Sequence, residues 1–211
     1  MNSQDVADWL QAHPEFFEQH AEMMASINIP HPHGGRTIPI SERQILTLRD
    51  KSKQLEAKLH EIIQFGEEND ALGEKMHKIT LAMLRARDTA TLLQTVTQHL
   101  REDFAVPHVA IRLWRGASPS PVSDETRQFA ASLSVPSCSA AAVADTASLF
   151  GDAASLLGSY AYIPLRDGEA FGLLVLASED SHRYYAEMGT LYLSRLGEII
   201  SSALAARLAA A

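Results

Sequence analysis

The chain has 211 residues, 46% of them hydrophobic and 21% charged, which supplies a folded core and is too apolar for a disordered tail. Asp and Glu outnumber Lys and Arg by 26 to 18, a net charge of −8, which argues against non-specific nucleic-acid binding as its task. Its longer apolar runs, Ala161–Leu165 and Phe171–Ala177, fall far short of the ~18 residues of a membrane span; the opening MNSQDVADW lacks the regions of a secretion signal, and the single cysteine, Cys138, can form no internal disulfide, so a cytoplasmic location away from membranes is expected.

Ser3 is placed to cap a first short helix with Val6, Trp9 and Leu10 on one face. Pro14 opens a second, on which Phe16, Phe17, His20, Met23 and Met24 recur at three- and four-residue spacing. So large an apolar face on so short a helix implies a covering partner surface. The run IPHPHGGRTIP from Ile29 to Pro39, with three prolines and two glycines, reads as an extended, turning loop. His31 and His33 within it have the spacing of metal ligands but no local carboxylate, so a turn is the simpler reading and no metal is expected.

Ser41 followed by Gln44 forms a capping box, so a helix is predicted over 41–86. Ile45, Leu48, Ser52, Leu55, Leu59, Ile62, Gly66, Asn69, Leu72, Met76, Ile79 and Met83 give it a heptad seam, and no proline occurs between Pro39 and Pro107. Such a helix is about 70 Å long at ~1.5 Å per residue. A coiled-coil homodimer is expected, with Asn69 in the seam setting register, against the alternative of a helix folded back on its own domain. All five lysines lie in this segment, Lys51, Lys53, Lys58, Lys75 and Lys78, which suits a solvated helix between two more acidic pieces. The division is therefore an amino-terminal helical segment and loop over 1–40, a coiled-coil helix over 41–86, and a domain over 87–211.

Asp88 caps a helix bearing Leu92, Leu93, Val96 and Leu100, which Val106-Pro107 stops. HVAIRLW, from His108 to Trp114, alternates like a half-buried strand. Residues 125–133 suit a short helix, and 134–148 show no decisive period. Tyr160–Leu165 and Phe171–Ala177 are strands joined through Asp167-Gly168, a hairpin signal. Met188–Leu208 closes the chain as a helix with Leu191, Leu196, Ile199, Ile200 and Leu204 on one face. The fold class is α+β, an antiparallel sheet with helices on one face, preceded by the long amino-terminal helix. Residues 84–211 hold a full set of elements and are expected to fold without the rest.

That order, with FGLLVL following a YIPL strand and leading through an acidic turn to a closing helix, resembles the GAF-like sensory fold. PEFFEQHAEMM, IPHPHGG, ISERQ, LREDF and the end LASEDSHRYYAEMGTLYLSRLGEIISSAL resemble the domain-of-unknown-function 484 family of bacterial proteins over nearly the whole length. The GAF resemblance implies a sheet with a cavity on the face away from its helices. Cyclic-nucleotide-binding GAF domains carry an Asn-Lys pair that this sequence lacks, and GAF-type methionine sulfoxide reductases need more than one cysteine. Cys138, in PSCSAAA without a neighbouring His, reads as a packing thiol rather than a chromophore attachment.

No GxxxxGK[ST], GxSxG or HExxH motif occurs, so no catalytic residues and no cofactor are expected. If Val109, Ile111 and Leu113 meet the helices, His108, Arg112 and Trp114 face the cavity. Arg112 then pairs with an anionic ligand, while Trp114 with Tyr160, Tyr162 and Phe129 supplies aromatic walls. The alternative is a satisfied arginine and packed aromatics over a closed face. Arg183, Tyr184 and Tyr185 read either as a pocket rim or as the entry to the closing helix. The expected function is a non-enzymatic cytoplasmic regulatory or sensory module, a small-molecule-binding GAF-like homodimer acting on an unidentified protein partner through its amino-terminal helices. The alternatives are a ligand-free structural adaptor and an enzyme of unrecorded type.

Overall fold

The computed structural model describes residues 2–30, 37–116 and 121–208; the turn holding His31, His33, Gly34 and Gly35 lies outside them. The chain divides into two units, Met1–Glu68 and Asn69–Ala211.

In the first unit, α1 (Ser3–Ala12) is capped one residue earlier than Ser3. Asn2 accepts the Asp5 amide at 2.8 Å while the Asp5 carboxylate accepts the Asn2 amide at 2.8 Å, a reciprocal box that Ser3 has no acid in place to close. The apolar stretch after Pro14 is two helices, α2 (Glu15–Gln19) and α3 (Ala21–Ser26). His20 donates its amide to the Phe16 carbonyl to close one and accepts from Met24 to open the other. Trp9 meets Phe16 edge-on at 5.5 Å, and Phe16 lies 4.6 Å from His20. The ends of the expected loop form a ribbon, β1 (Asn28–Pro30) antiparallel to β2 (Thr37–Pro39). Helix α4 then runs unbroken from Ile40 to Arg85. On its first-unit portion Leu48, Leu55, Leu59 and Ile62 are 57–67% exposed.

In the second unit, the carboxyl end of α4 is built into the core: Met76, Ile79 and Met83 are buried beside Leu92, Val96 and Leu100 of α5 (Thr89–Glu102). Burying side chains of this size contributes roughly 1.5 to 3 kcal/mol each. Asp88 caps α5, its carboxylate accepting the Thr91 amide at 2.7 Å, as the sequence predicts. The chain continues through β3 (His108–Leu113), α6 (Asp124–Ser132), β4 (Ser137–Ser139), a kinked 3-10 segment (Ala144–Leu156), the hairpin of β5 (Ser159–Asp167) and β6 (Glu169–Ser178), and α7 (Leu191–Leu208). The four strands form one antiparallel sheet in the order β3-β6-β5-β4. Gly168 turns the hairpin with φ +73°, a conformation glycine takes at no steric cost.

The sheet has two covered faces, which explains why β5 and β6 are buried almost throughout. Val109, Ile111, Leu113, Ala161, Ile163, Leu174 and Leu176 meet α4, α5 and α7. Ala110, Tyr160, Tyr162, Leu173, Val175 and Ala177 form a second core with Phe129 of α6 and Leu149 and Phe150 of the 3-10 segment. The longer helices thus occupy one face as expected, and the aperiodic stretch folds as a lid of small elements on the other. At the far end of α4, Arg207 of α7 donates to the carbonyls of Met83 (3.0 Å) and Ala86 (2.6 and 3.2 Å), satisfying helix-end acceptors that would otherwise lack partners.

Candidate functional site

Strand β3 is the sheet's edge, with β6 on one side only. Its period of two sends Val109, Ile111 and Leu113 into the helix-side core and leaves the alternate residues on the other face. Pairing with β6 and β5 aligns rows across that face: His108 with Ala177 and Tyr160, Ala110 with Val175 and Tyr162.

The expected site residues divide into two groups. Tyr160 and Tyr162 stack with ring planes 5° apart, and Phe129 meets Tyr162 edge-on at 5.1 Å. Phe150 fits between His108 (6.2 Å) and Tyr160 (6.3 Å). Two polar tips of this aromatic layer are satisfied by the chain itself: the Tyr162 hydroxyl accepts the Val143 amide at 2.9 Å, and the Trp114 indole donates to the Ala170 carbonyl at 3.0 Å. Burial, with the neighbouring Tyr162 adding to it, pushes the Tyr160 hydroxyl pKa up. His108 sits at the margin, its Nε2 2.7 Å from a Glu179 carboxylate oxygen, and that hydrogen bond holds Glu179 below the usual carboxylate range.

Arg112 stands apart from the aromatics. Its guanidinium donates to the Ile111 carbonyl at 3.0 Å and lines an open cleft of about 590 Å³ between β3 and α5, with Gln94, Thr97, Gln98 and Arg101 along the helix and Leu149 at one end. Arg101 has no ion-pair partner among the described residues. Glu102 also lines the cleft and is held by Gln98, whose amide reaches both carboxylate oxygens at 3.2 Å. Two guanidinium groups, amides and a hydroxyl in one cleft suit an anion with hydrogen-bonding edges. Sequence reasoning missed Arg101; its signal was the polar face of α5, Gln94, Thr97, Gln98 and Arg101, opposite Leu92, Val96 and Leu100.

Arg183 and Tyr184 form no rim. Arg183 donates to the Phe104 carbonyl at 3.0 Å and to the Tyr184 hydroxyl at 3.2 Å, and Tyr184 is buried in the helix-side core. Cys138 is buried, which raises its thiol pKa. Among the described residues no cluster of His, Cys, Asp and Glu suits a metal ion, and no helix is long and apolar enough to cross a membrane.

A four-stranded antiparallel sheet between a small-element lid and the helices α4, α5 and α7, of which α4 is the long helix that leads into the domain, defines a GAF-like α+β fold. The chain belongs to the family described as "Protein of unknown function, DUF484", which matches residues 1–208. Its fold is similar to the GAF domain from a phosphoenolpyruvate-protein phosphotransferase of Coxiella burnetii, with a TM-score of 0.52 and 16% identity over 66% of this chain and 95% of that one. At that identity the likeness is one of fold. Looser likenesses are to a free methionine-R-sulfoxide reductase from Neisseria meningitidis in complex with its substrate (TM-score 0.48, 21% identity, 66% and 92% covered) and to a GAF domain from Pseudomonas syringae pv. tomato (TM-score 0.46, 18% identity, 68% and 91% covered). No curated protein matches the chain.

Proposed function

We propose that the chain is a non-enzymatic regulatory module of the bacterial cytoplasm: its segment over 1–40 docks a partner protein, the helix over 41–86 joins two copies, and the domain over 87–211 takes a small anionic ligand. The observation that carries this reading is the convergence on an open cleft of Arg112 and Arg101, the latter without an ion-pair partner among the described residues. In an acidic protein, two arginines facing one cavity create a local site for an anion. Ala110 belongs both to the cleft wall and to the aromatic core. Tyr160, Tyr162, Phe129 and Trp114, with His108 at the margin, pack behind that wall on the same face of the sheet and back the site through Ala110.

The test is a thermal-shift titration of the full chain with inorganic phosphate, citrate and nucleoside monophosphates. One of these probes is expected to raise the melting temperature in a dose-dependent way, with Arg112→Ala and Arg101→Ala each needing at least tenfold more of it, since a charge-assisted bond contributes about 1.5 to 3 kcal/mol. A lower ligand-free melting temperature for Arg112→Ala with no stabilising probe would make Arg112 structural and favour a ligand-free adaptor. The packed aromatic layer, in which Tyr162 and Trp114 bond to the chain itself, supports that second reading.

A further inference from the structure

We propose that the cleft between α5 and β3 takes an extended segment of a partner protein as an added strand, and that the segment is recognised by two adjacent acidic residues. This rests on the anion reading of the cleft and assigns the anion to peptide side chains.

Half of the β3 backbone is turned away from the sheet. Trp114, just past the end of the strand, donates its amide to the Phe171 carbonyl at 3.0 Å. The same register pairs Arg112 with Leu173 and Ala110 with Val175. Backbone groups alternate sides along an antiparallel strand. Those of Arg112 and Ala110 therefore bond to β6, while those of Val109 and Ile111 point to the side on which β3 has no neighbouring strand. The Ile111 carbonyl is met on that side by the Arg112 guanidinium at 3.0 Å. The outward amides of Val109 and Ile111 have no hydrogen-bond partner among the described residues. Backbone donors and acceptors of this kind, repeating every second residue, match those of an extended peptide.

The cleft of about 590 Å³ holds these groups against the polar face of α5. From Gln94 to Arg101 that wall is about 10 Å long at ~1.5 Å per residue, the length of roughly three residues of strand at ~3.3 Å each. The two arginines approach the edge from opposite faces of the sheet. Arg101 stands on α5, which packs on the face to which Val109 and Ile111 turn, and Arg112 belongs to the alternate residues of β3, on the face that Leu149 of the 3-10 segment covers. An added strand sends successive side chains to opposite faces, so only neighbouring acids reach both arginines. Apolar residues on either side of the acid pair then fall beside Leu93 and Leu149, one on each face.

Charge selects the occupant. Glu102, held by Gln98, is the one acid lining the cleft among the described residues, and two guanidinium groups outweigh it. Pairing requires Arg112 to give up the Ile111 carbonyl to a peptide amide and to take a carboxylate instead, so a segment without the acids leaves the edge covered. A second copy of β3 is a poor match, because His108–Leu113 contains Arg112 and no carboxylate.

Fluorescence anisotropy of the full chain with the labelled, end-capped hexapeptide Thr-Val-Glu-Glu-Val-Thr tests the proposal. Saturable binding is expected, at least tenfold weaker when both glutamates are replaced by glutamine or when the chain carries Arg101→Ala. Val-Glu-Thr-Glu-Val-Thr, of the same composition with one residue between the acids, is expected to bind at least fivefold more weakly. N-methyl groups on alternate residues remove the amides of one edge of the peptide. Methylating the first valine and second glutamate, or the first glutamate and second valine, is expected to abolish binding in one case and to leave it within about threefold in the other. Equal affinities for the two methylated peptides, or for the two acid spacings, would overturn strand addition while leaving the anion reading standing. Stabilisation of the chain by phosphate with no peptide bound would do the same. Peptide binding that weakens as the chain concentration rises would place a second copy on the edge and would also overturn the proposal. Binding of neither the peptides nor phosphate, citrate or nucleoside monophosphates would overturn this proposal and the anion reading together.

Discussion

Arg207 shows how one side chain decides a local structure. Its guanidinium joins the last carbonyls of α4 to α7, and the cationic end faces the negative end of the helix dipole. Arg207→Ala should lower the unfolding free energy by about 2 kcal/mol, read as a reduced midpoint in urea with an unchanged slope. Gly172 is under a different constraint: an added Cβ would lie 2.9 Å from the Arg112 carbonyl and 2.7 Å from Leu113 Cδ2, and the backbone contact leaves little room to yield. Gly172→Ala should therefore destabilise by about 1 to 3 kcal/mol. Asp103 is one carboxylate whose environment makes stability depend on pH. The hydrogen bond from Lys78, followed by that from His99, holds its carboxyl below the usual range. A lowered folded-state pKa stabilises fully above the unfolded value, about 3.9, and that stabilisation is lost as pH falls through the folded value. The stability gap between the natural chain and Lys78→Met should then be constant from pH 7 down to about pH 5 and shrink below pH 4. Cys138, buried and with its thiol pKa raised, should resist iodoacetamide in the native state and react once urea unfolds the domain.

At the scale of elements, α4 serves two environments with one repeat. A residue every three or four positions is the signature both of a coiled-coil seam and of a helix packed on a sheet, so the sequence could not separate Leu55 and Leu59, which are exposed, from Met76, Ile79 and Met83, which complete the domain core. This changes the expectation for fragments. A chain starting at Asn69 should melt cooperatively, whereas one starting at Leu84 lacks those three core side chains and should bind a hydrophobic dye and melt without cooperativity. Leu55→Glu with Leu59→Glu in the full chain should sediment as a monomer, because burying unpaired carboxylates between helices costs several kcal/mol. The hairpin was legible because Asp167-Gly168 fixes its turn, and the faces of β3 because its period of two is regular. The stretch 134–148 was not, since its small residues carry no period, and the 3-10 segment that begins within it turns at Gly151 with φ +54°. For the candidate site, the sequence singled out Arg112 but assigned the tyrosines to an open wall. It could not show that Phe150 and Val143 would fill the space around them.

At the scale of the whole molecule, native mass spectrometry of protein taken from its own host should report twice the 23.1 kDa chain mass. Any extra mass that Arg101→Ala removes would be the ligand. The position of β3 at the sheet's edge has a consequence for solubility. An open edge presents unpaired amides and carbonyls on which another chain can add a strand, and edges of this kind seed aggregation. The opposite edge, β4, is three residues long, whereas β3 has six. What guards β3 is Pro107 ahead of it, which has no amide to donate, and the charge of Arg112 within it. Arg112→Val should therefore speed the growth of light scattering on mild heating while Arg112→Lys leaves it unchanged, so that the side chain proposed to hold an anion also keeps copies of the sheet from joining edge to edge.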